Sequence, residues 1–489
     1  MQNGLLLGFI ALYMLGTLAI GWWASRKVKT TADFVVAGKR LPMFIAACAL
    51  FATWFGSETV MGASSEFIEH GILGIIEDPF GAALCLLLAG LLIARPLYNL
   101  NLLTFSDFFR KRYNKTTEVV SAFFMVPSYF SWIAAQLIAL AIILQAVCGL
   151  DRTAGVLICT TLVLMYTYIG GMWSVTITDF VQTIAIVTGL LALAVDLVLQ
   201  VGGFDNMLAA APPGFFQFLP EPKPINIIQW IAAWMTIGLG SIPQQDVFQR
   251  VMSAKSVRSS VQACYTSSAM YLSVAMLPLI IGYCGRMLYP ELLEHGDAQM
   301  MIPHMVLQHT GLGIQILFFG ALLSAILSTC SGAMLAPATV IGENLVRPLF
   351  QYLTDAQLLR IMRFSVVGVA VVTGGMAVAR NNIYELVGES SAFSLVSLFT
   401  PLLAGLYWKR SSSQGAIAAM TSGITVWFAA VLWTGSVPPG AAGEAPTLLQ
   451  TLAQIPPMLY GLCASLLAMA IGSWLFPERR IDPMQALAD

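Results

Sequence analysis

Thirteen long apolar runs separated by short polar breaks restrict this chain to one class of fold. They cover roughly 4–24, 41–67, 73–95, 117–148, 153–172, 176–201, 226–251, 261–288, 312–346, 358–379, 383–407, 414–434 and 457–475. A hydrocarbon layer about 30 Å thick is spanned by about 20 apolar residues in a helix, and the runs meet that length. They are too long for barrel strands and lack their alternation. The expectation is an all-α integral membrane protein of about 13 transmembrane helices. Hydrophobic residues at 58% and charged residues at 10%, with a mean hydropathy of +0.79, exclude a soluble domain of this size. A net charge of −1 gives nucleic acid nothing to bind. The first run carries its charges after the apolar stretch, so it reads as a retained helix rather than a cleaved signal.

Basic residues set the orientation. With the N-terminus outside, the cytoplasmic segments collect Lys and Arg from Arg26 to Arg480, and only Arg152, Lys223, Arg286 and Arg380 of the 24 remain outside. That bias follows the positive-inside rule and requires an odd number of spans. The three longer loops, 202–225, 289–311 and 435–456, all fall outside. The reading is a single transport-sized membrane domain over 1–489, multi-pass in a plasma membrane of bacterial inner-membrane type, with its C-terminus inside.

Polar residues at membrane depth carry the chemistry. The stretch Ala52–Gly62, ATWFGSETVMG, places Trp54, Gly56, Ser57, Glu58 and Thr59 inside an apolar span. An intramembrane carboxylate is costly and is read first as functional. A helix broken there frees carbonyls for a cation and helix ends for a solute; the plainer alternative is a kink packed against neighbours. The seventh run has a matching soft centre at Gly238–Gly240, followed by Ser241 and Pro243. Five helices separate the two breaks, so they cross in opposite senses, and 41–201 and 226–407 read as inverted repeats. In the ninth run Ser324, Ser328 and Ser331 share a face with Thr329 beside them. Hard cations take such oxygens, although hydroxyls in membrane helices also serve packing. Asp179, one turn into the sixth run, reads as a second cation ligand, a cytoplasmic gate, or an acid that complements the helix dipole. Asp246 and Arg250 are spaced to pair at i, i+4. The eight cysteines are scattered singly, and none of the four histidines falls inside a run, so neither a metal cluster nor an enzyme is indicated.

The segments ATW…G, YIGGMWSVTITDFVQ, GSIPQQDVFQRVMSAKS and SAILSTCS together resemble the sodium:solute symporter family, nearest its high-affinity choline transporter-like branch. The resemblance runs from about Ala52 to Arg410 and implies the five-plus-five inverted-repeat transporter fold (APC/LeuT-type), with extra helices at both ends. It implies Na+ as coupling ion, held by the carbonyls of Ala52, Phe55 and Ala325 and the side chains of Ser328 and Thr329. A second sodium would use Asp179, Ser328 and Ser331, although Gly332 stands where a further hydroxyl is expected. Trp54 and Trp132 look like two walls of the choline branch's aromatic cage. Gln244 replaces a third wall, Ala83 falls near a fourth, and Ser331 stands where that branch has an acid. Glu58 lies where sugar-carrying relatives place a substrate-contacting acid. The solute site implied is Trp54, Ser57, Glu58, Thr59, Trp132 and Gln244. Glu385, Glu389, Ser390 and Ser391 fall in the outer half of the eleventh run, and Phe248 and Glu389 are the gate candidates. The expected function is sodium-coupled import of a small polar or cationic organic solute, with a choline-like quaternary amine first. An amino acid of proline type, a polyamine, a sodium-independent channel or uniporter, and a transport-derived sensor are the alternatives.

Overall fold

Two helices stop midway through the bundle, and the functional groups gather at these breaks. The computed structural model describes residues 2–26, 28, 30–100, 102–294, 297–350, 352–438 and 447–478. About 84% is helical, with no strand among the described residues. The principal helices are α1 (Gln2–Ser25), α2 (Met43–Trp54), α3 (Ala63–His70), α4 (Ala82–Leu88), α5 (Lys115–Cys148), α6 (Arg152–Val201) and α7 (Pro224–Gly240). They continue with α8 (Gln245–Ser253), α9 (Val257–Leu288), α10 (Leu312–Val346), α11 (Asp355–Ala379), α12 (Ile383–Tyr407), α13 (Ser413–Ser436) and α14 (Pro457–Leu475).

Every expected run coincides with helix. Among the described residues, nine helices are long and apolar enough to span, or ten with the bent pair α7–α8, whose halves meet at 51°. Shorter apolar stretches occupy Gly4–Tyr13, Met43–Trp54 and Arg152–Met165. A straight helix as long as the 50-residue α6 would extend about 75 Å. Its start, Arg152, donates to the carbonyl of Arg380 at the end of α11. Near its finish, Gln200 accepts from Tyr289, just past α9. Gln299, in the loop that follows Tyr289, bonds back to Asn381 and Ile383. Both ends of α6 therefore lie at one end of the bundle, so its 50 residues do not run as one straight rod. The short turn expected between the fifth and sixth runs is helical instead.

The opposite end gathers the basic loops. Lys255 N–H bonds to the Leu41 carbonyl at 2.9 Å and Tyr98 to the Ala254 carbonyl at 2.7 Å. Arg112 donates to the carbonyls of Gly405 and Trp408 and to the Ser411 hydroxyl, and Lys115 reaches Pro348. Segments carrying Lys39, Arg40, Arg110, Lys111, Arg347, Lys409 and Arg410 thus share one face; Lys27, Lys29, Arg479 and Arg480 lie outside the described residues. The last two helices pack through small residues, as membrane helices do. A Cβ on Gly423 would stand 1.9 Å from the Val396 carbonyl, and one on Gly461 would stand 2.8 Å from that of Gly423.

At the first break, Phe55 leaves helical geometry (φ −79°, ψ 77°) and Ser57 resumes it. At the second, α7 ends at Gly240, and Gln244 is extended (φ −94°, ψ 144°) before α8 begins. Pro243 lies between them and supplies no N–H, which favours the interruption.

Candidate functional site

Glu58 is held where α2 stops. Its two carboxylate oxygens accept from Trp132 Nε1 at 3.1 Å and Gln136 Nε2 at 2.6 Å. Gln136 also turns its Oε1 to the Ser57 N–H at 3.2 Å, satisfying a donor that the broken helix leaves free. Trp132 and Gln136 are one turn apart on α5, so a single face of that helix reads both the acid and the helix start. Gly56 is needed for this approach, because a Cβ there would stand 2.8 Å from Gln136 Oε1 and 3.0 Å from Glu58 Oε2. Sequence reasoning missed Gln136, although its i+4 spacing from Trp132 was visible.

A second buried acid ties the two breaks together. Asp246, at the start of α8, accepts from Trp54 Nε1 at 3.1 Å and from the Tyr129 hydroxyl at 2.5 Å. The expected Asp246–Arg250 ion pair is not formed among the described residues. Arg250 instead donates to the carbonyls of Ala49 and Asp246. The carboxylate is committed to Trp54 and Tyr129, and the guanidinium takes the Asp246 backbone carbonyl instead.

A third cluster centres on Tyr271 of α9. Its hydroxyl lies 2.6 Å from Thr59 Oγ1, 3.1 Å from the Trp54 carbonyl and 2.8 Å from Asp78 Oδ1. Between these clusters is a narrow cleft whose empty space, counted together with its opening to solvent, is about 310 Å³. Trp54, Trp132 and Tyr271 give it aromatic faces, Glu58 and Asp78 give it carboxylates, and Ser241, Gln244, Ser390 and Ser391 add polar groups. Of the residues expected from sequence, Trp54, Glu58, Trp132 and Gln244 line this cavity. Ser57 and Thr59 are buried without lining it. The wall expected near Ala83 is formed by Ala82, and the aromatic face comes from Tyr271. Asp78 escaped notice because it sits just inside an apolar run beside Pro79. Nothing in a single tyrosine within a span marks it as a lining residue.

The hydroxyls of α10 meet the same break from the other side. Thr329 Oγ1 donates to the Ala52 carbonyl at 2.9 Å. Ser328 donates to Asp179 Oδ1, and Ser331 accepts from Thr167 at 2.9 Å. Asp179 Oδ2 and Ser57 Oγ are buried with no hydrogen-bond partner among the described residues. Phe55 packs its ring on Phe51 at 4.8 Å and, with Ala325, borders a small apolar pocket. The Ser324 side chain lies outside the described residues.

The profile of the sodium:solute symporter family matches residues 34–423. This chain belongs to that family. The symporter is 25% identical over 456 residues to a high-affinity choline transporter of Caenorhabditis elegans, covering 86% of this chain and 77% of the relative. It is 27% identical over 442 residues to an osmoregulated proline transporter of Bacillus subtilis, covering 86% and 87%. The sodium/proline symporter of Escherichia coli is 26% identical over 443 residues, with 85% and 86% covered. Among solved structures, a Na+-coupled sialic acid symporter superposes with a TM-score of 0.76 at 17% identity, over 98% of this chain and 99% of its own. A nucleobase–cation symporter gives 0.58 at 14% identity, over 94% and 99%. These likenesses show the five-plus-five inverted-repeat fold, and family membership makes the chain a membrane transporter and not an enzyme.

The two gate candidates lie at opposite ends of the symporter's central region. Phe248 is buried on α8 with its ring edge-on to Phe105 at 5.7 Å. Glu389 is paired with Arg380 at 2.6 Å, and Ser131 reaches it at 3.5 Å. Between them Ser241 meets Ser391 at 2.9 Å, and Gln244 approaches Ser394 at 3.5 Å.

Proposed function

We propose that this symporter uses the sodium gradient to import a small cationic organic solute, with a choline-like quaternary amine as first choice. The observation that carries the reading is one cavity walled by Trp54, Trp132 and Tyr271 and flanked by Glu58 and Asp78. Aromatic faces attract a quaternary ammonium without needing a donor from it, and desolvation in a cavity strengthens that attraction. Two acids facing the same space favour a cation and disfavour a solute that brings its own carboxylate. The named activity of the choline-transporting relatives supports the same class.

Sodium would be held by the carbonyls of Ala52, Phe55 and Ala325 with Ser328 and Thr329, and the Thr329–Ala52 contact supports that assignment. Asp179 with Ser328 would take a second ion, with Ser331 at its edge. Holding a sodium between α2 and α10 would fix the break and with it the Trp54 and Glu58 walls. Sodium must then tighten solute binding, and solute must tighten sodium binding by the same factor. In this reading the chain has thirteen spans, repeats over 41–201 and 226–407, and the basic end inside. Glu389 with Arg380 then gates the outer side, and Phe248 gates the inner. The test is labelled-choline binding to the purified symporter in sodium and in potassium, with proline and putrescine as competitors. Saturable binding that needs sodium and yields to choline alone supports the reading. Absence of saturable choline binding together with sodium-dependent binding of labelled proline transfers the site to an amino acid, and sodium-independent binding makes the protein a uniporter.

A further inference from the structure

The cluster around Tyr271 is one hydrogen short. Its phenolic oxygen has three oxygen neighbours at 2.6 to 3.1 Å, namely Thr59 Oγ1, the Trp54 carbonyl and Asp78 Oδ1. Each contact at such a distance needs a hydrogen between the oxygens. Tyr271 and Thr59 carry one apiece, a carbonyl carries none, and an ionised carboxylate carries none. Tyr271 can donate to the carbonyl or to Asp78 but not to both, while Thr59 supplies the third contact. A hydrogen on Asp78, donated to the phenolic oxygen, completes the set and frees Tyr271 to serve Trp54. A metal cation does not solve the count, because an oxygen-bound cation near calcium in size sits about 2.3–2.6 Å from each ligand. That spreads neighbouring oxygens wider than they are here.

We propose that Asp78 is a proton-binding site in the wall of the solute cavity, occupied when the cavity is empty, and that a proton there and a cationic solute exclude each other. Its second oxygen, Oδ2, is buried with no partner among the described residues, and the residue lines the cavity. The other charged and titratable groups facing it are Glu58 at the break, Glu77 beside it, Tyr271 on α9 and Tyr384 on α12. The α7 helix packs against this segment and offers no titratable side chain. No cation stands in that set. Glu58 has a donor on each oxygen, which suits a carboxylate, so the proton falls to Asp78. An ammonium entering the cavity would supply the missing positive charge and release that proton. The exchange half of this proposal rests on the cationic-solute reading; the proton half does not.

Infrared spectra of the solute-free symporter test the proton directly. Wild type minus Asp78→Asn should show the carbonyl stretch of a protonated carboxyl group that fades as pH is raised. Tyr271→Phe, which keeps the carboxyl but removes its hydrogen-bond acceptor, should shift that band. Absence of the band overturns the proposal. Choline affinity of the wild type should then weaken about tenfold per pH unit on the acid side, and that of Asp78→Asn should be lower and flat with pH. A band together with pH-independent choline affinity overturns the exchange. If choline does not bind at any pH, the solute assignment fails, and the band with its titration still decides whether Asp78 holds a proton.

Discussion

Gln136→Leu isolates the clamp on Glu58, because leucine keeps the bulk and removes both polar contacts. Two terms are lost. The hydrogen bond from Nε2 to the Glu58 carboxylate, 2.6 Å long, is of the charge-assisted kind worth about 1.5–3 kcal/mol. The Ser57 N–H, now served by Oε1, becomes a buried orphan at a cost of about 1–3 kcal/mol. The single variant should therefore lose about 2.5–6 kcal/mol of unfolding free energy. In a Glu58→Gln background the first term shrinks to that of a neutral pair, about 0.5–1.5 kcal/mol. The two substitutions should then couple by about 1–1.5 kcal/mol. Denaturant unfolding in detergent, on the wild type, both single variants and the double variant, measures this cycle. A coupling below about 0.5 kcal/mol, the scatter of independent sites, would refute the idea that Gln136 holds Glu58.

Thr329→Val removes the hydroxyl that bridges α10 to the Ala52 carbonyl, at a cost of about 1 kcal/mol. The sodium concentration for half-maximal uptake in proteoliposomes should rise about fivefold, and an unchanged value would remove Thr329 from the sodium site. Gly56→Ala pushes a methyl to 2.8 Å from Gln136, 3.0 Å from Glu58 and 3.2 Å from Thr329. Uptake should fall by about five- to 150-fold, matching the cost of about 1–3 kcal/mol typical of overpacking, while size-exclusion profiles stay monodisperse. Gly423→Ala, outside the cavity lining, should lower unfolding free energy by about 1–3 kcal/mol because its methyl meets the Val396 carbonyl. A stability equal to wild type would show that α13 can shift at no cost.

Apolar length and charge asymmetry carried the architecture, since both are properties of the solvent rather than of partners. The break at Phe55–Ser57 was legible because Gly56, Ser57 and Glu58 are wrong for a membrane core, and so was the one near Pro243. Trp54 and Glu58 were legible within the stretch Ala52–Gly62, whereas Trp132 and Gln244 were placed at the cavity only by family resemblance. Gln136, Tyr129, Tyr271 and Asp78 were not. Each acquires its role from a partner far away in the chain, such as Asp246 for Tyr129 and Trp54 for Tyr271. Asp246 and Arg250 misled for the converse reason. Their spacing fits a helical pair, but Trp54 and Tyr129 supply the carboxylate with donors from two other helices.

Asp246 has a consequence for slippage. It stands between the cavity and the end of the bundle that holds Lys39 and Lys255, toward which α8 runs. Parting α2, α5 and α8 at this point must release both Trp54 and Tyr129 from one carboxylate. Two charge-assisted bonds at about 1.5–3 kcal/mol each come to about 3–6 kcal/mol. At about 1.4 kcal/mol per factor of ten, that parted state is held to between about one molecule in a hundred and one in twenty thousand. This junction adds to Phe248, the inner gate of the proposed reading, rather than replacing it. It rests on three helices sharing one acid, and any step that loosens one of them loosens the seal for all three.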